Sequence, residues 1–198
     1  MSGSLEEIAS TLDELGPSVP VAIDLRMDDY FDVVRALVDG YCGQRDLQCI
    51  YINSSIPAAT ISHALQVLEI DTERIRFIDC LSHMLMGDVT LGESVIYVEG
   101  PTMLESIVLK VEYFLRKVDH AQSLVVLDSV DSLSIHNDDK ILSEFLQILL
   151  GGLRNRDVYP VVLTMSEQSR PEIQEMVRLV CDQMISLEEN EEGEEQDE

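Results

Sequence analysis

Basic residues are scarce in this 198-residue chain, and lysine is the scarcest of them. Thirteen Lys and Arg residues stand against 38 Asp and Glu residues, so the formal net charge is −25. Only three of the bases are lysines, namely Lys110, Lys117 and Lys140. A surface with so strong a negative charge repels phosphate backbones and anionic lipids. The composition therefore argues against binding to nucleic acid or to a membrane through bulk charge.

The usual sequence patterns of metal sites and of membrane spans are also absent. The four cysteines (42, 49, 80 and 181) form no C-x-x-C pair, and the histidines form no H-x-x-x-H pair. No signal peptide is recognisable, and no apolar run approaches the roughly 18 residues that span a bilayer. These features predict free thiols in a reducing compartment and a cytoplasmic protein.

The chain does contain a regular alternation of two hydrophobic patterns. Short runs rich in Val, Ile and Leu predict strands at 19–25, 47–53, 75–79, 94–98, 123–128, 158–165 and 183–187. Between them, apolar residues at helical spacing predict helices at 4–15, 30–42, 57–69, 102–118, 138–154 and 170–180. This alternation is typical of the α/β class, and it predicts a three-layer α/β/α sandwich with a mainly parallel sheet.

The domain organisation follows from the same patterns. We expect one domain at 18–187, with the helix of 1–17 packed on its core and a disordered acidic tail at 188–198. Two capping boxes, Ser4 with Glu7 and Ser169 with Glu172, predict helix starts, and Gly16 predicts a helix end. In the segment "HNDD" (136–139), Asn137 or Asp138 is expected to cap the helix of 138–154. That helix is apolar on more than one face, which predicts either burial within the domain or a subunit interface.

The turn after the first strand has an unusual composition. In a parallel sheet, ligands bind beyond the carboxyl ends of the strands, and here the segment "AIDLRMDDYFDVV" (22–34) crosses that end. Residues 24–32 contain no Gly, Lys, Ser or Thr, so they cannot form a Gly-x-x-x-x-Gly-Lys-Thr phosphate-binding loop. Asp28 and Asp29 stand at the expected start of the next helix, where their carboxylates could cap its N–H groups.

A second motif lies at the end of a later strand. "LVVLDSVDSL" (124–133) resembles a Walker B strand, with Asp128 at the position that holds Mg²⁺ through water in such strands. Together with "RIRFIDCLSHMLMGD", "LRNRDVYPVVLTMSEQ" and "VCDQMISL", it resembles the RecA/KaiC-like ATPases, in particular the short KaiC-like proteins of archaea. The resemblance covers roughly residues 18 to 187. It implies a RecA-like P-loop NTPase fold and an archaeal, cytoplasmic setting.

The chain departs from that family at the residues that carry its chemistry. The phosphate-binding loop is missing, and Asn53 stands where the resemblance implies an acidic base. Asp128, Ser129 and Gln168 remain as vestigial Walker B and sensor positions for a cofactor. We therefore predict a catalytically inactive domain, a pseudo-ATPase, that acts as a protein-binding or regulatory subunit and needs no cofactor. The expected partners are other proteins, including an active KaiC-like ATPase, or further copies of the chain.

Three alternatives remain open from the sequence. The first is an atypical nucleotide-binding ATPase in which Asp128 holds Mg²⁺ and Arg26 replaces the missing lysine. The second is a divalent-metal-binding regulatory domain that uses a cluster of acids, since Mg²⁺ and Ca²⁺ prefer oxygen ligands. That cluster comprises Asp24, Asp28, Asp29 and Asp128. The third is a phospho-receiver with Asp79 or Asp128 as the acceptor.

Overall fold

The structure is a computed structural model, and it describes residues 2–86, 94–118, 122–167 and 169–187. The acidic tail at 188–198 and Gln168 lie outside the described residues. None of the helices in the described part of the chain has the length and apolar character that crossing a bilayer requires.

Seven parallel strands form a single sheet. They are β1 (Val21–Leu25), β2 (Gln48–Asn53), β3 (Ile75–Asp79), β4 (Val95–Tyr97), β5 (Ser123–Asp128), β6 (Val158–Met165) and β7 (Gln183–Ser186). Their order across the sheet is β4-β3-β2-β5-β6-β1-β7, so β6 lies between β1 and β5. The central strands are buried on both faces, as continuous Val, Ile and Leu runs predict.

Helices cover both faces of the sheet. They are α1 (Ser2–Leu15), α2 (Tyr30–Arg35), α3 (Ala58–Val67), α4 (Ser82–Met86), α5 (Leu104–Lys117), α6 (Val130–Ser134), α7 (Asp139–Leu153) and α8 (Pro171–Val180). One core cluster packs α1, α2 and α3 against the sheet, and a second packs α5 to α8 against the other face. The predicted α/β sandwich is confirmed. Ile8 and Leu12 of α1 are both buried in the first cluster, so this helix is part of the core packing.

Two local predictions at helix ends are confirmed. Gly16 follows α1 with a φ of 73°, and its N–H donates to Leu12 O at 3.0 Å, so glycine supplies the left-handed residue that ends the helix. Asp138 is the N-cap of α7, where its carboxylate accepts from Lys140 N at 3.0 Å.

Both predicted capping boxes are wrong. Helix α1 already begins at Ser2, which places Ser4 inside the helix. Helix α8 has Arg170 at its N-cap, and the hydroxyl of Ser169 has no partner in the described part of the chain. The proline at position 171 sets the first turn of α8 without a side-chain cap, because its ring already holds the helical φ.

Three stretches of helix were not predicted in their observed form. The helix of 30–42 is an α-helix only to Arg35 and continues as a π-helix over Ala36–Gly43. The short helices α4 and α6 lie in segments whose periodicity was too short to indicate a helix. Helix α6 begins directly after β5 because the hydroxyl of Ser129 accepts from Ser132 N and caps it.

Candidate functional site

Asp128 ends β5 at the carboxyl edge of the sheet and is completely buried. Its neighbour on one side is β2, where Asn53 pairs with Asp128 in register. On the other side β6 separates it from β1 and from the turn that follows β1. The peptide bond between Asp128 and Ser129 is cis. Asp128 therefore occupies the strand end that the Walker B pattern predicts.

Three hydroxyl groups enclose the carboxylate of Asp128. The hydroxyl of Tyr51, on β2, donates to Oδ2 at 2.8 Å, and the hydroxyl of Tyr30, from the first turn of α2, donates to the same oxygen. On the other side, Ser55 Oγ donates to Oδ1 at 2.7 Å. Both carboxylate oxygens are therefore already hydrogen-bonded within the protein.

The electrostatics of this group follow from its burial. Loss of hydration disfavours the charged form and raises the pKa of Asp128, although the hydrogen bonds from Tyr30, Ser55 and Tyr51 act in the opposite direction. Burial is also the main cause that raises the pKa of Tyr30 and of Tyr51, and the charge of Asp128 adds to it. The two phenols consequently stay protonated and serve as donors.

The turn after β1 is short and carries no phosphate-binding loop. A 3₁₀ turn, Met27–Asp29, follows the strand after a single residue and leads directly into α2. The ring of Tyr30 thereby reaches the carboxylate of Asp128 from the position where that loop would begin. Arg26 Nε and Asp29 Oδ2 form an ion pair at 3.0 Å across the turn.

The prediction that Asp28 or Asp29 caps the helix is wrong. Asp29 stands at the N-cap of α2, but its side chain makes no capping hydrogen bond, and Asp28 is exposed. The reason is that the backbone N–H groups of Asp29 and Tyr30 already form hydrogen bonds within the 3₁₀ turn. Asp29 N donates to Arg26 O, and Tyr30 N donates to Met27 O.

The aspartates proposed as metal ligands are not brought together. Over residues 2–86, 94–118, 122–167 and 169–187, no three His, Cys, Asp or Glu side chains are grouped to hold a metal ion. Asp24 Oδ1 accepts from Thr164 Oγ1 at 2.9 Å, which turns it toward β6. Asp29 is held by Arg26, and Asp128 is enclosed by hydroxyls. The carboxylates of Asp24, Asp29 and Asp128 are therefore bonded to different groups.

Asp79, one of the two candidate phosphate acceptors, is held by several hydrogen bonds within the protein. Its buried carboxylate accepts from Ala58 N at 2.8 Å, Leu81 N at 2.9 Å, and both Ser82 N and Ser82 Oγ at 2.8 and 2.7 Å. These bonds connect the end of β3 to the first turn of α3 and to the loop before α4. These hydrogen bonds give Asp79 a structural role, which is to hold the starts of α3 and α4 at the end of β3.

A family model, the Family of unknown function (DUF7090), matches residues 43–196, which is more than half of the chain. The chain belongs to this family. The DUF7090 match begins within the π-helix that continues α2 and covers β2 to β7. No curated protein matches the chain.

A solved structure supports the fold of this DUF7090 chain. It is the crystal structure of the KaiC-like protein PH0186 from the hyperthermophilic archaeon Pyrococcus horikoshii OT3, similar with a TM-score of 0.59. The two sequences are 12% identical, and the likeness covers 89% of this chain and 75% of the other. At this identity the comparison shows a KaiC-like, RecA-type fold and nothing about activity.

The residues that define the site were not predicted from the sequence. Tyr30 and Tyr51 lie in a predicted helix and a predicted strand, and Ser55 lies just beyond the end of that strand, but none of the three was predicted as a site residue. A buried tyrosine needs a partner for its hydroxyl, so Tyr51 in an apolar strand was a signal for a polar partner, but the sequence did not indicate which one. Of the positions predicted to be vestigial, Ser129 serves as the N-cap of α6, and Gln168 lies outside the described residues.

Proposed function

We propose that the chain is a RecA/KaiC-like domain without ATPase activity that works as a protein-binding or regulatory subunit. The observation that carries the proposal is the enclosure of Asp128 by Tyr30, Tyr51 and Ser55. In the family that the sequence resembles, the corresponding acid faces a nucleotide-bound Mg²⁺. Here the same position faces two phenols in the protein interior.

The environment of Asp128 opposes cation binding. A hydrated metal ion would have to displace hydroxyl groups that are packed in the core, and it would need an ionised carboxylate. Burial acts against that ionised form, since it raises the pKa of Asp128. Both effects favour a neutral or internally hydrogen-bonded acid over a metal ligand.

The turn after β1 opposes phosphate binding for a separate reason. Arg26 is the only base in residues 24–32, and its guanidinium is held by Asp29 at 3.0 Å. At an effective dielectric near 20, an acid about 5 Å from a phosphate charge costs about 3 kcal/mol. Asp24, Asp28 and Asp29 all lie in or beside this turn, and no lysine of the turn offsets them.

Under this proposal the domain acts through its surfaces, by binding other proteins. A RecA-type domain that does not turn over nucleotide can dock on another protein, including an active KaiC-like ATPase, and modulate it. The long apolar helices on the α5 to α8 face provide surface of the kind that docking uses.

Thermal unfolding with and without Mg²⁺–ATP tests the proposal. A ligand at about 100 times its Kd adds about 2.7 kcal/mol to the folded state, which is a shift of several degrees for a domain of this size. We expect no such shift with millimolar Mg²⁺–ATP or Mg²⁺–ADP. Sodium chloride at matched ionic strength is the control, because salt alone screens the self-repulsion of an acidic protein.

A nucleotide-specific shift of several degrees would contradict the proposal. If Asp128→Asn abolished that shift, the atypical ATPase would replace it as the best explanation. A shift with Mg²⁺ alone, lost in Asp28→Ala/Asp29→Ala, would instead indicate a metal-binding regulatory domain.

A further inference from the structure

Helices α5 and α7 lie side by side and leave an apolar groove between them. It is lined by Leu104, Glu105, Val108, Leu109, Ile141, Glu144, Phe145 and Ile148. Three of these apolar side chains are largely exposed: Leu109 at 69%, Ile141 at 56% and Ile148 at 63%. Isolated exposed apolar residues are normal on a protein surface, but a contiguous set across two helices marks an interaction surface. We call these two helices with their groove the α5–α7 face.

The charges of the α5–α7 face differ from those of the rest of the molecule. Its acids are Glu105, Glu112, Asp139 and Glu144, and its bases are Lys110, Arg116, Lys117 and Lys140. Four acids against four bases give a net charge of zero, in a chain whose net charge is −25. All three lysines of the chain lie on these two helices. Helix α1, on the opposite face of the sheet, carries four acids and no base.

We infer that the α5–α7 face binds the same face of a second copy of this chain, in a two-fold symmetric dimer. Two copies that approached through any acidic surface would repel each other. Counted over the two helices, the net charge is zero, and the two acids that line the groove, Glu105 and Glu144, have the four bases of these helices around them. The apolar side chains of two copies can therefore cover each other there at a lower electrostatic cost than at the acidic surfaces. A basic partner would have no reason to prefer this face, because the acidic surface around α1 attracts it more strongly.

The size of the face predicts a weak dimer. Helices of 14 and 15 residues are about 21 and 22 Å long, and packed neighbours lie about 8–10 Å apart. The face therefore projects to about 20 by 20 Å, at the low end of specific interfaces. We expect a Kd of roughly micromolar order or weaker. Added salt should strengthen the dimer, because it screens the repulsion between the two acidic bodies.

This dimer rests on the protein-binding part of the proposed function and is independent of the predicted lack of nucleotide binding. None of the residues that line the groove contacts the carboxylate of Asp128. A failure of dimerisation would leave the nucleotide prediction in place, and nucleotide binding would leave the dimer in place. The two measurements can therefore be interpreted separately.

Sedimentation velocity of the full chain over a wide concentration range tests the inference. The test variant is Leu109→Glu, and the matched control is Leu179→Glu, which makes the same change at an 86% exposed leucine on α8. We expect wild type and the control to dimerise equally, and Leu109→Glu to weaken dimerisation by at least about 30-fold, because a charge enters the apolar contact. Ile148→Glu serves as a second test variant if circular dichroism shows that Leu109→Glu does not fold.

Four results would overturn the inference. A chain that stays monomeric up to several hundred micromolar has no such interface. An assembly larger than a dimer would mean a head-to-tail contact between different surfaces. Equal loss of dimerisation in Leu109→Glu and Leu179→Glu would show a general effect of added charge. A dimer that weakens as salt increases would be held by opposite charges, and the apolar face would not explain it.

Discussion

Replacing Asp128 by asparagine tests the central feature of the structure, a buried carboxyl group enclosed by hydroxyls. Asparagine has nearly the same shape and is uncharged at every pH. Its side-chain oxygen can accept from Tyr30 and Tyr51, and its NH₂ group can donate to the hydroxyl of Ser55, which then acts as the acceptor. The variant therefore removes the ionisable group and preserves most of the hydrogen bonds.

The direction of the effect follows from the pKa of Asp128. Burial raises this pKa above 3.8 in the folded protein, so the fold favours the protonated form. The stabilisation due to this group is complete below pH about 4 and is lost as the pH rises through the raised pKa. Each unit of difference between folded and unfolded pKa corresponds to about 1.4 kcal/mol. The Asp128→Asn variant has no such loss, since its side chain does not titrate.

We therefore expect the free energy of unfolding of Asp128→Asn to match wild type within about 1 kcal/mol near pH 4 and to equal or exceed it at pH 7. Urea denaturation followed by far-UV circular dichroism measures this, since the chain has no tryptophan. The difference between the two proteins is the quantity to plot against pH, because the many other acids titrate in both. The reasoning would be refuted if Asp128→Asn were less stable than wild type by more than about 2 kcal/mol at pH 7, since the ionised carboxylate would then be stabilising the fold.

Two further substitutions test individual contacts by urea denaturation. Tyr30→Phe should lower the free energy of unfolding by about 1–3 kcal/mol, because it removes a donor from the buried carboxyl group. The control, Tyr113→Phe on the exposed face of α5, should leave it unchanged. Equal effects of the two substitutions would disprove the role of the Tyr30 hydroxyl. Asp79→Ala should cost more than about 3 kcal/mol, because it leaves the buried N–H groups of Ala58, at the start of α3, and of Leu81, before α4, without an acceptor. Asp138→Ala at an exposed N-cap should cost only about 1 kcal/mol. A smaller loss at Asp79 than at Asp138 would contradict the structural role of Asp79.

Most of the fold could be predicted because its signals are local. Strand β5 is apolar from Leu124 to Leu127 and α5 has apolar residues at helical spacing, so period and length alone distinguish them. Short elements carry too few residues for a period, which explains why α4 and α6 were missed. The helix caps at Asp28 or Asp29, at Ser4 and at Ser169 were predicted wrongly, because capping depends on where each helix begins and on which amides are already bonded in the neighbouring turn.

The candidate site could be predicted only in part. The position of Asp128 at a strand end followed from the apolar run before it, and the absence of a phosphate-binding loop followed from composition. Whether Asp24, Asp28 and Asp29 group with Asp128 did not follow from the sequence, because it depends on the order of the strands, in which β6 lies between β1 and β5. It also depends on side-chain partners, which are Thr164 for Asp24 and Arg26 for Asp29.

By itself, the sequence determined the alternation of strands and helices, the parallel sheet and the absence of glycine and lysine from the turn after β1. These properties depend on the type of each residue and on spacing within one element. Only the tertiary structure decided that Tyr30 meets Asp128, 98 positions further along the chain, and that Leu109 and Ile148 share one groove. Such contacts depend on the order of strands and on the packing of helices across the sheet. A pattern read along the chain does not contain that information.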